Sequence, residues 1–104
     1  YIVKEGVKVI CNGAFKDCYD LSELVIPESV EYIGEGVFKG CNNLHRITIP
    51  FSLRKFTGNP FCGWKLGELI IKSPNYIVSD GVVFDKNNTE IVAFSIKDNN
   101  INVL

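Results

Sequence analysis

The side chains that could do chemistry are few: Cys11, Cys18, Cys41 and Cys62, the one histidine His45, and the polar runs around Asp80 and Asp85. No two cysteines stand in the Cys-x-x-Cys spacing of a zinc or dithiol site, and His45 has no co-ligand at metal-binding distance in the chain. Asp80-Gly81 and Asp85-Lys86-Asn87-Asn88 read as turns, because the alternating oxygen ligands of a calcium loop are incomplete. Asn87-Asn88-Thr89 fits a glycosylation sequon, which matters only in a eukaryotic secretory route. There is no glycine-rich phosphate loop, and no nucleophile is placed beside a base. The expectation is a protein that is not an enzyme and uses no cofactor and no metal.

The elements that must position these residues belong to a repeat. Residues 7–29 and 30–52 align without gaps over 23 positions, ten of them identical: Val7/Val30, Ile10/Ile33, Gly13/Gly36, Phe15/Phe38, Lys16/Lys39, Cys18/Cys41, Leu21/Leu44, Ile26/Ile49, Pro27/Pro50 and Ser29/Ser52. Leu53, Phe56 and Phe61 keep the 23-residue register, and Leu69-Ile70-Ile71 follows Ile47-Thr48-Ile49 at 22. Phe84 lies 23 beyond Phe61, Ile91-Val92-Ala93 lies 22 beyond Leu69-Ile70-Ile71, and Tyr1-Ile2-Val3 precedes Leu24-Val25-Ile26 by 23. The units are therefore 1–6 (partial), 7–29, 30–52, 53–75 and 76–96, about four turns of one coil in a single domain, read as a fragment of a longer array. Tyr1 and the run Ile101-Asn102-Val103-Leu104 leave strand-like ends, and unpaired edges invite edge-to-edge self-association.

Each unit is too short to bury its own apolar face, so neighbours must stack, at about 4.8 Å between strands. Phe15, Phe38, Phe61 and Phe84 are then expected in one interior column. Cys18 and Cys41 share another column as small buried residues; stacking also brings their Cα atoms within disulfide range, so a bond between them stays open. A Cys–His dyad would require Cys41 to leave that column.

The pattern Ile10-x-x-Gly13-Ala14-Phe15-x-x-Cys18-x-x-Leu21-x-x-Leu24-x-Ile26-Pro27-x-Ser29-Val30 resembles the BspA-type leucine-rich repeat, and Ser73–Asp85 resembles a variant unit of the same arrays. The resemblance implies a leucine-rich-repeat solenoid: a right-handed coil with a parallel β-sheet on one face and irregular or short helical turns on the other. It also implies a bacterial surface or secreted protein, extracellular in location, that works in adhesion and protein binding. Trp64 in place of the repeat cysteine and Lys72 in place of the repeat proline depart from the pattern in the later units.

Composition agrees with a recognition module. Eleven Lys/Arg against twelve Asp/Glu, with no basic cluster, argue against nucleic acid as partner. No run of 18 or more apolar residues exists for direct membrane insertion. Tyr1-Ile2-Val3-Lys4-Glu5 has no signal-peptide pattern. What remains is surface recognition. Alternation along the first strand of each unit turns Ile2, Val25, Thr48, Ile70 and Val92 outward, beside a mainly acidic column of Glu23, Arg46, Glu68 and Glu90. From Glu23 to Val92 these two stripes are the expected binding face for a protein partner, a host or extracellular matrix protein. A spacer or stalk that binds nothing is the competing expectation, and an intracellular interaction protein a more distant one.

Overall fold

A computed structural model describes residues 1–64, 67–79, 82–86 and 91–94, the last four as backbone. Two rows of short strands run through the repeated part. The first ladder pairs β1 (Val9–Ile10), β2 (Tyr32–Ile33) and β4 (Lys55–Phe56) in parallel, with Ile10, Ile33 and Phe56 in register. The second pairs β3 (Arg46–Ile49) with β5 (Glu68–Ile71), also in parallel, preceded by a parallel bridge between Ile2 and Val25. Pairing at 22 to 23 residues makes equivalent positions neighbours, which is the geometry of a repeat solenoid. In β3 the residue order Arg-Ile-Thr-Ile alternates exposed and buried, and Pro50, which has no N–H to donate, follows its last residue.

The side opposite the strands is built of turns, and no helix occurs among the described residues. In the second unit, N–H groups reach back three residues: Lys39 to Gly36, Cys41 to Phe38, and Leu44 to Cys41. Gly36 (φ 67°) and Gly40 (φ 77°) are left-handed and four residues apart, so a helix cannot propagate between them. The expected short helical turns are thus successive tight turns. Neighbouring coils are tied across this side by Asp17 N–H to Lys39 O (2.7 Å), Gly13 N–H to Glu35 O (2.9 Å) and Phe38 N–H to Pro60 O (3.0 Å).

A serine ladder closes each coil. The hydroxyls of Ser29, Ser52 and Ser73 donate to the carbonyls of Val7 (2.8 Å), Val30 (2.6 Å) and Leu53 (2.7 Å), one repeat earlier. Asn75 Nδ2 adds a second bond to Leu53 O. These bonds satisfy backbone acceptors that the turn would otherwise strand beside the core.

Burial is deepest where a unit has a neighbour on both sides. Val30, Ile33, Val37, Phe38, Leu44, Ile47 and Ile49 are sealed, whereas Val7, Phe15, Leu21, Leu24 and Ile26 of the preceding unit are only partly buried. Phe38 stacks on Phe61 at 5.7 Å between ring centres and 18° between planes. The four-ring column stops there. Phe15 meets Tyr1 edge-on at 5.5 Å, and Phe84 sits on a strand of different direction. Phe61 instead continues into Phe56 and Trp64, and Phe56 into Tyr76.

The fourth turn expected over 76–96 is replaced by an antiparallel sheet. β6 (Tyr76–Ser79) pairs with β7 (Val82–Asp85), and β7 with β8 (Ile91–Phe94). Two residues separate the paired ends Ser79 and Val82, a length that permits a hairpin but no crossover to a parallel strand. Reversal there takes Phe84 out of the coil's register and opposite Ile77. Tyr76 closes the coil: its hydroxyl accepts the Phe56 N–H at 2.9 Å, and its ring lies 4.5 Å from that of Phe56. In the turn before, the residue equivalent to Phe56 is Ile33, whose strand is followed by the parallel strand β4. A phenol oxygen thus takes the place of a further strand's carbonyl.

Candidate functional site

The strand face presents most of the expected stripe. Ile2 (72% exposed) and Val25 (53%) face solvent side by side across their bridge. Thr48, half-buried, stands opposite Ile70 (36% exposed) in the β3–β5 register. Their flanking neighbours Leu69, Ile47 and Ile49 turn toward the core, so alternation alone sets which residues look out.

The stripe is in two pieces. Among the described residues no backbone hydrogen bond joins residues 24–26 to 46–49, although the turn side and the first ladder are bonded across the same boundary. Ile2 and Val25 form one piece, Thr48 and Ile70 the other. Val92 does not extend the second piece: it lies in β8, which pairs antiparallel with β7 rather than parallel with β5. Glu90 lies outside the described residues.

The neighbouring charged column is less acidic than its composition suggests. Arg46 and Glu68, opposite each other in the register, form an exposed ion pair with Nε to Oε1 at 2.9 Å. Such a pair is worth about 0–1 kcal/mol, and its two opposite charges compensate each other at this step of the column. Glu23 remains exposed on the preceding coil.

Two surface features escaped the sequence reading. Phe51, 64% exposed, follows Pro50 at the end of β3, where the preceding unit has Glu28; an aromatic replacing a charge at a turn was the available signal. On the first ladder, Glu31 lies between Lys8 (3.5 Å) and Arg54 (3.4 Å), a row of alternating sign at the repeat spacing. It crosses three consecutive units, with one carboxylate shared between two cations.

The cysteines are free. Cys11 and Cys62 are exposed, Cys18 is half-buried and Cys41 is buried. Cys41 Sγ donates to Phe15 O at 3.1 Å. Burial pushes the Cys41 thiol up from its ordinary value; the nearby Cys18 backbone N–H pulls it down, while the Cys18 thiol and the Asp17 carboxylate push it further up. Trp64, at the third position of this column, is buried too, and its indole N–H donates to Leu44 O at 2.8 Å. His45 is exposed at the mouth of β3. Among the described residues no three His, Cys, Asp or Glu side chains gather as a metal site, and no helix is long and apolar enough to cross a membrane.

The family model of the BspA type leucine rich repeat region matches residues 3–103 in six copies. No curated protein and no solved structure gives a significant match.

Proposed function

The chain belongs to the BspA-type leucine-rich repeat family, and from that premise we propose that it is a non-enzymatic adhesion module displayed outside the cell. Repeats of this family generally mediate protein–protein interaction, and the family is typically surface-associated in bacteria. The partner in this reading is a host or extracellular matrix protein, and the mechanism is presentation of a stiff face whose outward residues choose the ligand.

The observation that supports it is the exposed row on the strand side: Ile2 and Val25, then Thr48 and Ile70, bordered by Glu23 and the Arg46–Glu68 pair. Apolar side chains held outward on a rigid ladder bury area without first losing backbone freedom, which lowers the cost of association. An apolar centre with a charged border also matches the anatomy of protein interfaces. Glu68→Lys combined with Ile70→Asp removes both characters while leaving the inward positions intact. Adhesion to immobilised matrix protein should be lost in that variant; adhesion equal to wild type would refute the assignment of this face and leave the chain as a spacer.

A further inference from the structure

We propose that Cys18 and Cys41 are a disulfide-forming pair, a modification site that staples two consecutive coils when the chain meets a low-molecular-weight disulfide. The two residues occupy one column in adjacent turns, 23 residues apart. Just before them the coils touch: Asp17 N–H bonds Lys39 O at 2.7 Å, and a Cβ built on Gly40 would lie 3.2 Å from Asp17 Cα. Backbones stacked this closely place the next residues in each turn about 5 Å apart, inside the roughly 4.4–6.8 Å separation of Cα atoms that a disulfide spans. The Cys41 thiol already points into the preceding coil, bonded to Phe15 O at 3.1 Å and set against the Cys18 backbone N–H.

Neither of the other thiols has such a partner. Cys11 is followed one repeat later by Gly34, and Cys62 is preceded by Lys39. Exposure sets the order of reaction. Cys18, half-buried, is the thiol that reagent reaches first, whereas Cys41 is closed off. The Cys18 thiolate attacks the disulfide RSSR, forming Cys18–S–SR and releasing one thiol, RSH, after protonation. The Cys41 thiolate then attacks the Cys18 sulfur, forming the Cys18–Cys41 bond and expelling RS⁻ as a second RSH. Two protein thiols are oxidised and one RSSR is reduced to two RSH. Because Cys41 must ionise for the second step, closure speeds up as pH rises from 7 toward 9.

The bond would join the two coils whose strand residues 24–26 and 46–49 share no backbone hydrogen bond among the described residues. It would add a covalent tie to the turn-side hydrogen bonds, such as Asp17 N–H to Lys39 O, that already join these coils.

The test uses the 104-residue chain with the exposed thiols removed, C11S/C62S, incubated with glutathione disulfide and quenched with N-ethylmaleimide. Peptide mass spectrometry should find the Cys18 and Cys41 peptides linked within one chain, with the free-thiol titre falling from two to none, faster at pH 9 than at pH 7. Under the same conditions, adding C41S should stop the reaction at a glutathione adduct on Cys18. A stable adduct on Cys18 beside an unreacted Cys41, links between chains, or two unreacted thiols would each overturn the proposal. The wild-type chain, run in parallel, should give the same internal link, with adducts confined to Cys11 and Cys62.

Discussion

Phe38→Ala and Phe15→Ala delete the same side chain at equivalent positions of consecutive repeats, and they should differ sharply in cost. Phe38 is wholly buried, with a coil on either side, and stacks on Phe61 at 5.7 Å. Burying a phenylalanine is worth roughly 1.5–3 kcal/mol. The ring pairing adds about 0.5–1.5 kcal/mol. The cavity left in a close-packed interior brings the total for such truncations to about 3–5 kcal/mol. Phe15 is only partly buried and meets Tyr1 edge-on, so less burial is at stake and the void opens to water. Its loss should cost about 1–2 kcal/mol on the same area scale. Urea titration followed by the fluorescence of Trp64, the single tryptophan, buried 6.3 Å from the Phe61 ring, measures both. Against a total stability of about 5–15 kcal/mol, Phe38→Ala should move the midpoint severely and Phe15→Ala modestly. Equal losses would refute the claim that a unit is sealed only by flanking neighbours on both sides.

Gly67 has φ 119°, and a Cβ there would run into the His45 carbonyl; Gly67→Ala should cost about 2 kcal/mol or more and speed amide exchange along Glu68–Ile71, measured by hydrogen–deuterium exchange. Tyr76→Phe removes the acceptor for the Phe56 N–H, so that amide should lose protection with a stability loss of about 1 kcal/mol. The Cys41 thiol is raised by burial, so its contribution to stability is complete below the unfolded thiol pKa of about 8.5 and disappears as pH rises through the higher folded value. Urea midpoints at pH 7.5 and 10 should therefore fall further for wild type than for Cys41→Ala; parallel falls would show that this thiol is not the source.

The repeat was legible because stacking demands the same residue type at the same place: Ile10, Ile33 and Phe56 are apolar in one column and pair in register. Outwardness at Val25 and Ile70 followed from alternation in the same way. Spacing failed at Phe84, where a 23-residue match survives although the strand direction has changed. Apolar periodicity cannot tell a parallel return from a hairpin; the short Asp80-Gly81 turn signal between two apolar runs is what distinguishes them. The Arg46–Glu68 pair was hidden by tallying a column's charges instead of asking which ones face each other. Ser29 and Ser52 stood out as identities, but their bonds reach backbone atoms, which leave no trace in residue types. The break beside residues 24–26 has no signature in the sequence that we can identify.

The serine hydroxyls give the architecture an evolutionary freedom. Each one engages the carbonyl of its immediate predecessor and nothing more remote. Excising or duplicating a whole 23-residue segment such as 30–52 would therefore rejoin like with like, leaving no acceptor orphaned at the splice. Recombination between neighbouring copies can lengthen or shorten the display without redesigning its interior, so reach and ligand choice are able to diverge under separate selection.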